Sequence, residues 1–427
     1  MKVLLLGSGG RESALAWGLA RSKVVSELVV APGNPGVARI AEIIAANIEA
    51  PADVVAVAKA VSADLVVVGP EAPLVAGVGE ALRADGRIVF GPDPVAARIE
   101  GSKAHAKDLM IRAGIPTGRS RVFTAMDPAI AYLDELGPPY VIKADGLAAG
   151  KGVAVTEDRG DALEALADRL ERGRFGDAGR RVLVEEFLDG EEASLIAFVD
   201  GTNVVACEPA QDYKRVFDGD AGPNTGGMGS YSPVPACPPQ LAEQIVADVL
   251  EPMVRATADS SAPFVGALYA GLALTSRGPR VIEFNARFGD PETQALVPRL
   301  RSDLGEVTIA AATGELEGMK LEWSPEACVS VVLASGGYPG PHETGHAITG
   351  IEAVESLDGV AVFHAGTALR EGELVTAGGR VLAVSALGST FGAARSLAYS
   401  AAAKIDFKGK HLRSDIGARA EDLERTP

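Results

Sequence analysis

The hydrophobic pattern of the chain changes period repeatedly. Short apolar runs, KVLLL (2–6), ELVVA (27–31), DLVVVG (64–69) and RIVFG (87–91), are too brief for helices and rich in β-branched residues, so each reads as a buried strand. Between them apolar residues recur at helical spacing from about Arg11, near 51–61 and near 74–84. This alternation predicts a parallel sheet covered by helices, with ligand-binding loops at its carboxyl edge. The GPDP turn (91–94) closes that unit, and a first domain is expected over residues 1–100.

The next stretch, GSKAHAKDLMIRAG (101–114), reads as a helix stopped by Gly114 and Pro116, within a linking segment of 101–121. Residues 122–190 are expected to form a small α/β unit with strands at YVIKAD (140–145), GVAVTE (152–157) and RVLVEEFL (181–188) and a helix over 161–171. From 191 to 327 the strands lengthen, and the loops carry the polar clusters QDYKR (211–215) and GPNTGGMGSYSP (222–233). A final α+β block, 328–427, begins ACVSVVLASGGYPG and has strands near 360–364 and 379–386 before a closing helix.

Length supports this division, because 427 residues exceed what one hydrophobic core usually serves. A net charge of −17 argues against nucleic acid and anionic membranes as partners, so an anionic ligand needs a local cluster of Lys, Arg and N–H groups. Cys207, Cys237 and Cys328 stand far apart and form no C-x-x-C, which argues against a zinc ribbon and a disulfide framework. The apolar part of MKVLLLGSGG is too short for a secretory signal, and no 18-residue apolar span follows. A soluble protein of the reducing cytoplasm is expected.

Four segments could carry chemistry. In KADGLAAGKG (143–152), three residues separate Gly146 from Gly150 where a P-loop needs four between its glycines, and Gly152 after Lys151 offers no hydroxyl. The segment is therefore a turn between strands: either a plain surface turn or a glycine-rich hairpin folding over a nucleotide, with Lys143 or Lys151 neutralising charge. In RVIEFNARFGDPETQ (280–294), a strand over 280–285 puts Glu283 and Asn285 on one face, with Arg287 continuing it. A carboxylate beside an amide oxygen, without Cys or His, suits magnesium bridging phosphates, and Arg287 could hold a carboxylate or acyl phosphate. Asp290 and Glu292 extend the cluster; the plainer reading is a polar strand end.

In VLVEEFLDGEEAS (182–194), Glu185 and Glu186 end a strand and a DG turn leads to Glu191 and Glu192. One acid could accept from an adenine amine, Leu188 could donate a backbone N–H and another acid could take ribose hydroxyls; the alternative is a solvated acidic edge. GSGGRE (7–12) lacks the third glycine of a dinucleotide fingerprint, since Glu12 stands there, yet a helix N-terminus with Arg11 can still meet an anion. HETGH (342–346) matches a zinc pattern that requires a helix, which the preceding YPGP and Gly345 disfavour. His364 in VFHAGT shows no acid or nucleophile partner and reads as structural.

Lys103 in EGSKA, Lys143 with the 146–152 turn, the EEFLDGEE edge and the EFN strand occur in the order seen in ATP-grasp enzymes, which clamp ATP between two α/β subdomains. More narrowly, GSGGRE, APGNPG, VGPEAPL, KADGLAAGKGV, GPNTGGMG, EFNARFGDPETQ and HAGT resemble the phosphoribosylamine–glycine ligase family of purine biosynthesis, from residue 1 to about residue 417. The resemblance implies an α/β fold: an N-terminal parallel, Rossmann-like domain, a two-subdomain ATP-grasp module and a small C-terminal α+β domain. It implies that ATP phosphorylates glycine and that 5-phosphoribosylamine attacks the acyl phosphate, with Mg2+ (or Mn2+) as the metal.

By the same resemblance Lys103 and Lys143 contact ATP phosphates, and the turn carrying Gly146, Gly150, Lys151 and Gly152 closes over them as a mobile flap. Glu185, Leu188 and Glu192 hold adenosine, with Glu191 a rival for the ribose. Glu283 and Asn285 bind the metal, and Asp212, Arg287 and Asp290 line the glycine and acyl-phosphate pocket, with Lys214 also on the substrate. Gly9, Gly10, Arg11, Asn34 and Glu71 receive the phosphoribosylamine. Its partners would be small molecules, and it would be a monomer making transient contacts with neighbouring purine enzymes. The chain departs from the family's pattern at Ser13, where many relatives carry histidine, at Ala286, often cysteine, and in GALYAGLAL (266–274), which supplies no third acid. Rival readings are another ATP-grasp ligase or carboxylase, and a non-catalytic nucleotide-binding protein.

Overall fold

The computed structural model describes residues 1–146 and 152–425, so Gly150 and Lys151 of the glycine-rich turn lie outside the described residues while Gly146 and Gly152 lie within them. Strands β1 (Lys2–Gly7), β2 (Glu27–Pro32), β3 (Glu42–Ile43), β4 (Leu65–Val68) and β5 (Ile88–Phe90) form one parallel sheet in the order β3-β2-β1-β4-β5. Helices cover both faces, which is why these strands read as unbroken apolar runs; Leu4, Leu5 and Leu6 are all fully buried. The chain moves outward from β1 to β2 and β3, then returns to the other side of β1 with β4. The loops after β1 and β4 therefore meet at a topological switch point. Glu12 fills the gap between them, and its side chain leaves no room for a Cβ at Gly7 or Gly69. The helix expected near 74–84 is two helices, Glu71–Val75 and Val78–Ala84, because Gly77 takes a left-handed φ of +91° between them.

A small antiparallel sheet follows, built from β6 (Ser120–Phe123), β7 (Tyr140–Ala144), β8 (Val153–Thr156) and β9 (Val182–Glu185) in the order β6-β9-β7-β8. Helices Met126–Leu136 and Arg159–Leu170 back it, and Ala129, Leu133, Ile142, Leu166 and Val184 make a core of its own. Strand β9 ends at Glu185, three residues before the end of the RVLVEEFL segment, so Leu188 lies half-buried beyond it.

The next strands are β10 (Glu191–Asp200), β11 (Val204–Ala206), β12 (Gln211–Asp212), β13 (Arg215–Phe217), β14 (Ala221–Asn224), β15 (Gly229–Ser232), β16 (Val265–Thr275) and β17 (Gly278–Asn285). Strands β11, β10, β16 and β17 form the central sheet in that order, and β13 pairs with β14. The last block adds β18 (Ala327–Ala334), β19 (Val360–His364), the hairpin β20 (Thr367–Arg370) and β21 (Glu373–Thr376), and β22 (Arg380–Gly388). Its main sheet runs β12-β15-β18-β22-β19, so two strands from before residue 233 complete it. Leu4, Leu268, Val329 and Leu382 belong to one continuous core, which ties the N-terminal, central and C-terminal sheets together. HETGH is not helical, and His346 Nε2 instead meets Glu343 Oε2 at 3.3 Å. All three cysteines are buried and free.

Candidate active site

Strand β17 carries the Glu283–Asn285 pair. Asn285 lies opposite Tyr269 and Glu283 opposite Gly271, with an irregularity in the pairing just before Glu283 that leaves the two side chains on one face. Both line a narrow cavity with Glu100, Lys103, Lys107 and Lys143. Its volume of about 20 Å³ admits little more than a water.

Lys103 opens helix Lys103–Arg112, whose N-cap Ser102 accepts from the His105 N–H at 3.2 Å. Asp145, the residue before Gly146, braces that helix start: its Oδ1 accepts from Ser102 Oγ at 2.9 Å and from the Ala104 N–H at 3.0 Å. The chain entering the glycine-rich turn and the helix bearing Lys103 are thus one unit. Burial pushes the Glu283 carboxyl up, but Lys103, Lys214, Lys143 and Arg287 outweigh it and hold the group below the usual carboxylate range. An ionised carboxylate beside an amide oxygen, facing lysines, fits a hard divalent cation bound with phosphate. Among the described residues no three His, Cys, Asp or Glu side chains converge as a metal cage, so phosphate and water oxygens would complete such a shell.

The acids around the β9 turn do not form a single solvated edge. Glu185 is 2% exposed and lies between two lysines, its Oε1 on Lys107 and its Oε2 2.6 Å from Lys143 Nζ. Glu186 pairs with Arg277 at 2.8 Å, Glu191 with Arg419 and Glu192 with Lys214. Glu192 therefore joins a second cluster in which Lys214 stands 3.9 Å from Asp212. Burial, reinforced by Glu292, Glu192 and Glu283 and opposed by Lys214, pushes Asp212 up to about 7. Beneath it Glu292 Oε1 accepts from Ser194 Oγ and the Tyr269 hydroxyl, both at 2.9 Å.

Arg287 is not an open anion hook in this structure. Its Nη2 meets Glu100 Oε1 at 3.0 Å and its Nε meets Glu71 Oε2 at 3.3 Å, while Glu100 Oε2 accepts from the Ala286 N–H at 2.7 Å. Burial pushes Glu100 up, partly offset by Arg287, whereas Arg287 and Arg11 overcome the burial of Glu71 and hold it below its usual value. Asp290 is gripped from the C-terminal block: Arg380 Nη2 reaches its Oδ2 at 2.9 Å and Nη1 donates to its carbonyl at 2.9 Å and to that of Gly226 at 2.5 Å. Gln294 Nε2 donates to Asp290 Oδ1 at 2.6 Å.

Of the N-terminal residues, Gly9 and Gly10 face this same carboxylate, since a Cβ on either would come within 3.6 Å of an Asp290 oxygen. Arg11 is instead committed inward, to Glu12 Oε1 at 2.5 Å and the Phe288 carbonyl at 3.2 Å. Asn34 is likewise spent on framework: its amide donates to Ser8 O, Ser13 Oγ and His364 O, and its Oδ1 accepts from the Gly36 and Val37 N–H groups. Ser13 Oγ donates to the same His364 carbonyl at 2.5 Å. Glu71 reaches the site through Arg287. Sequence reasoning missed Glu100, Lys107, Tyr269 and Arg380. Lys107 had a signal, because it lies one helical turn after Lys103.

Residues 1–100 match the family described as phosphoribosylglycinamide synthetase, N domain; 101–293 match its ATP-grasp (A) domain and 328–419 its C domain. The chain is 52% identical over 420 residues to the phosphoribosylamine–glycine ligase of Rhizobium meliloti (strain 1021), covering 98% of this chain and 99% of that one. It is 50% identical over 427 residues to the enzyme of that name from Pseudomonas aeruginosa, covering 100% and 99%. A crystal structure of phosphoribosylamine–glycine ligase from Thermotoga maritima superposes with a TM-score of 0.85 at 35% identity, over 97% of this chain and 100% of that one. Biotin carboxylase from Campylobacter jejuni, at 14% identity and a TM-score of 0.75 over 99% and 95% of the two chains, shares the fold.

Proposed function

The chain belongs to the phosphoribosylglycinamide synthetase family, and we propose that the cleft residues described above carry out its ligation of glycine to 5-phosphoribosylamine. The protein is an ATP-dependent ligase of purine biosynthesis. In the first step a glycine carboxylate oxygen forms a bond to the γ-phosphorus of ATP and ADP leaves. In the second the amine of phosphoribosylamine forms the C–N bond, phosphate departs with the acyl oxygen and the nitrogen loses a proton.

The observation that carries the assignment is the convergence of Glu283, Asn285, Lys103 and Lys143 on one cavity. Lys103 and Lys143 neutralise the triphosphate, a task of charge stabilisation that needs no protein nucleophile. Glu283 and Asn285 would hold the divalent cation, Mg2+ or Mn2+, which would draw charge from the transferring phosphoryl group when bound. Glu185 and the Leu188 N–H take the adenine. Glu192 and Glu191, already paired with Lys214 and Arg419, take the ribose less readily than the sequence pattern suggested. Asp212, near neutrality in its titration, receives the glycine ammonium when ionised, with Lys214 beside it. Arg287 is released to the acyl phosphate by exchanging an acid for the ligand. Gly9 and Gly10, near Asp290, and Glu71 form the wall for phosphoribosylamine. We place the enzyme in the cytoplasm as a monomer; no helix among the described residues is long and apolar enough to cross a membrane.

The test is ADP formation with glycine and phosphoribosylamine omitted in turn, in the wild type and in Glu283→Ala. Turnover that needs both substrates and vanishes in the folded variant supports the assignment. ADP release without either substrate would overturn the reaction, and an active Glu283→Ala would overturn the metal site.

A further inference from the structure

Glu185 has two lysine partners of unequal commitment. Lys107 Nζ is fixed by Glu185 Oε1 and by Thr117 Oγ1, and Thr117 is itself anchored to the Val281 carbonyl at 2.7 Å on the strand that carries Glu283. Among the described residues Lys143 Nζ has only the ion pair to Glu185 Oε2 at 2.6 Å and a long bond to the Ile282 carbonyl at 3.3 Å. Glu185 Oε2 is buried and, among the described residues, has no hydrogen-bond partner beyond that ion pair.

Under the functional reading above, Lys143 must leave Glu185 for the triphosphate. A carboxylate that is 2% exposed cannot lose its last counter-charge cheaply, because an unpaired buried charge costs several kcal/mol. Lys107 removes that obstacle. It stays on Oε1 throughout, one helical turn from Lys103 but tied to the wall, while Oε2 exchanges the Lys143 ammonium for a ligand N–H. We propose that Lys107 is a positioning residue, the permanent counter-ion of Glu185, which allows Lys143 to pass from Glu185 to the nucleotide phosphates as an exocyclic amine takes its place. The two ends of the nucleotide site are thereby coupled: filling the base end frees the cation needed at the phosphate end. A purine with a carbonyl in place of that amine cannot make the exchange.

The inference rests on Lys143 being a phosphate ligand, and the variants separate the two claims. Binding of inorganic tripolyphosphate and of ATP is measured by calorimetry on folded Lys107→Met, Lys107→Met/Glu185→Gln and Lys143→Met. In Lys107→Met, Lys143 is pinned as the sole counter-ion, so tripolyphosphate binding should weaken about tenfold, as expected when only a tenth of the molecules hold the competent lysine. Adding Glu185→Gln should restore most of that loss, because no buried charge then needs Lys143, while the preference for ATP over GTP should fall. The double variant also leaves no unpaired buried carboxylate, so it answers the question if Lys107→Met alone fails to fold. Unchanged tripolyphosphate binding in Lys107→Met, or binding in the double variant as weak as in Lys143→Met, overturns the exchange. Unchanged binding in Lys143→Met would instead overturn the phosphate role of Lys143.

Discussion

Arg380 offers a sharp test of how the C-terminal block serves the cleft. Its guanidinium makes three contacts at once, to Asp290 Oδ2, Asp290 O and Gly226 O, and so joins β22 to the loop after β17 and to the GPNTGG loop. Arg380→Ala removes the cation that does most to hold Asp290 below the usual carboxylate range against its burial. Breaking a buried pair costs about 3–5 kcal/mol, and exposures of 21% and 16% for the two side chains place this case near the lower end. If that energy appears as displacement of Asp290 and its loop, about 3 kcal/mol lost in the transition state lowers kcat/KM for glycine by about 100-fold. Arg380→Lys keeps the charge but cannot reach three acceptors from one ammonium, so it should fall between the two. Initial rates of ADP release with glycine varied, alongside urea melts of each variant, read both effects. A folded Arg380→Ala whose kcat/KM for glycine stays within about twofold of the wild type would refute the bracing role.

Two pH-dependent outcomes follow from the buried groups. Burial, assisted by the charge of Arg39, pushes His364 down to about 4 from 6.5, so below pH 6.5 the unfolded chain binds a proton that the folded one does not. Stability should fall as pH drops from 6.5 towards 4, by up to about 3 kcal/mol for this group, and the pH 7 to pH 5 difference in thermal midpoint should shrink in His364→Gln; parallel curves for the two proteins would exclude it. For Asp212, pushed up to about 7, the carboxylate that the proposed function assigns to the glycine ammonium is lost as pH falls through that value. KM for glycine should therefore rise below pH 7 in the wild type and be high but flat in Asp212→Asn, whereas an inflection that survives the substitution would point to another group.

The parts of the fold set by local periodicity were readable. The runs KVLLL and DLVVVG announce strands covered on both faces, and the alternation in RVIEFN puts Glu283 and Asn285 side by side, which the pairing with β16 preserves. What could not be read depends on how separate elements dock. Nothing near Arg287 signals that Glu71 and Glu100 of the first domain will occupy its guanidinium, and nothing near Glu185 signals two lysines from other elements. Arg11 and Asn34 look like ligand-facing loop residues, yet their long-range bonds to Phe288 and His364 exist only once the N-terminal loops pack on later segments. Local pattern also overstated continuity: Gly77 splits one expected helix, and β9 stops at Glu185 where the acids turn towards their cations.

The sheet that β12 and β15 share with the last block makes the end of the chain an integral wall of the enzyme rather than an appendage. A protein cut between Thr313 and Ala327 would leave β15 with an unpaired hydrogen-bonding edge and uncover Met228, Tyr231 and their neighbours, an invitation to pair with another chain. Joins to other proteins are therefore best made outside this sheet, so that gene fusion and engineering alike must carry all three segments together.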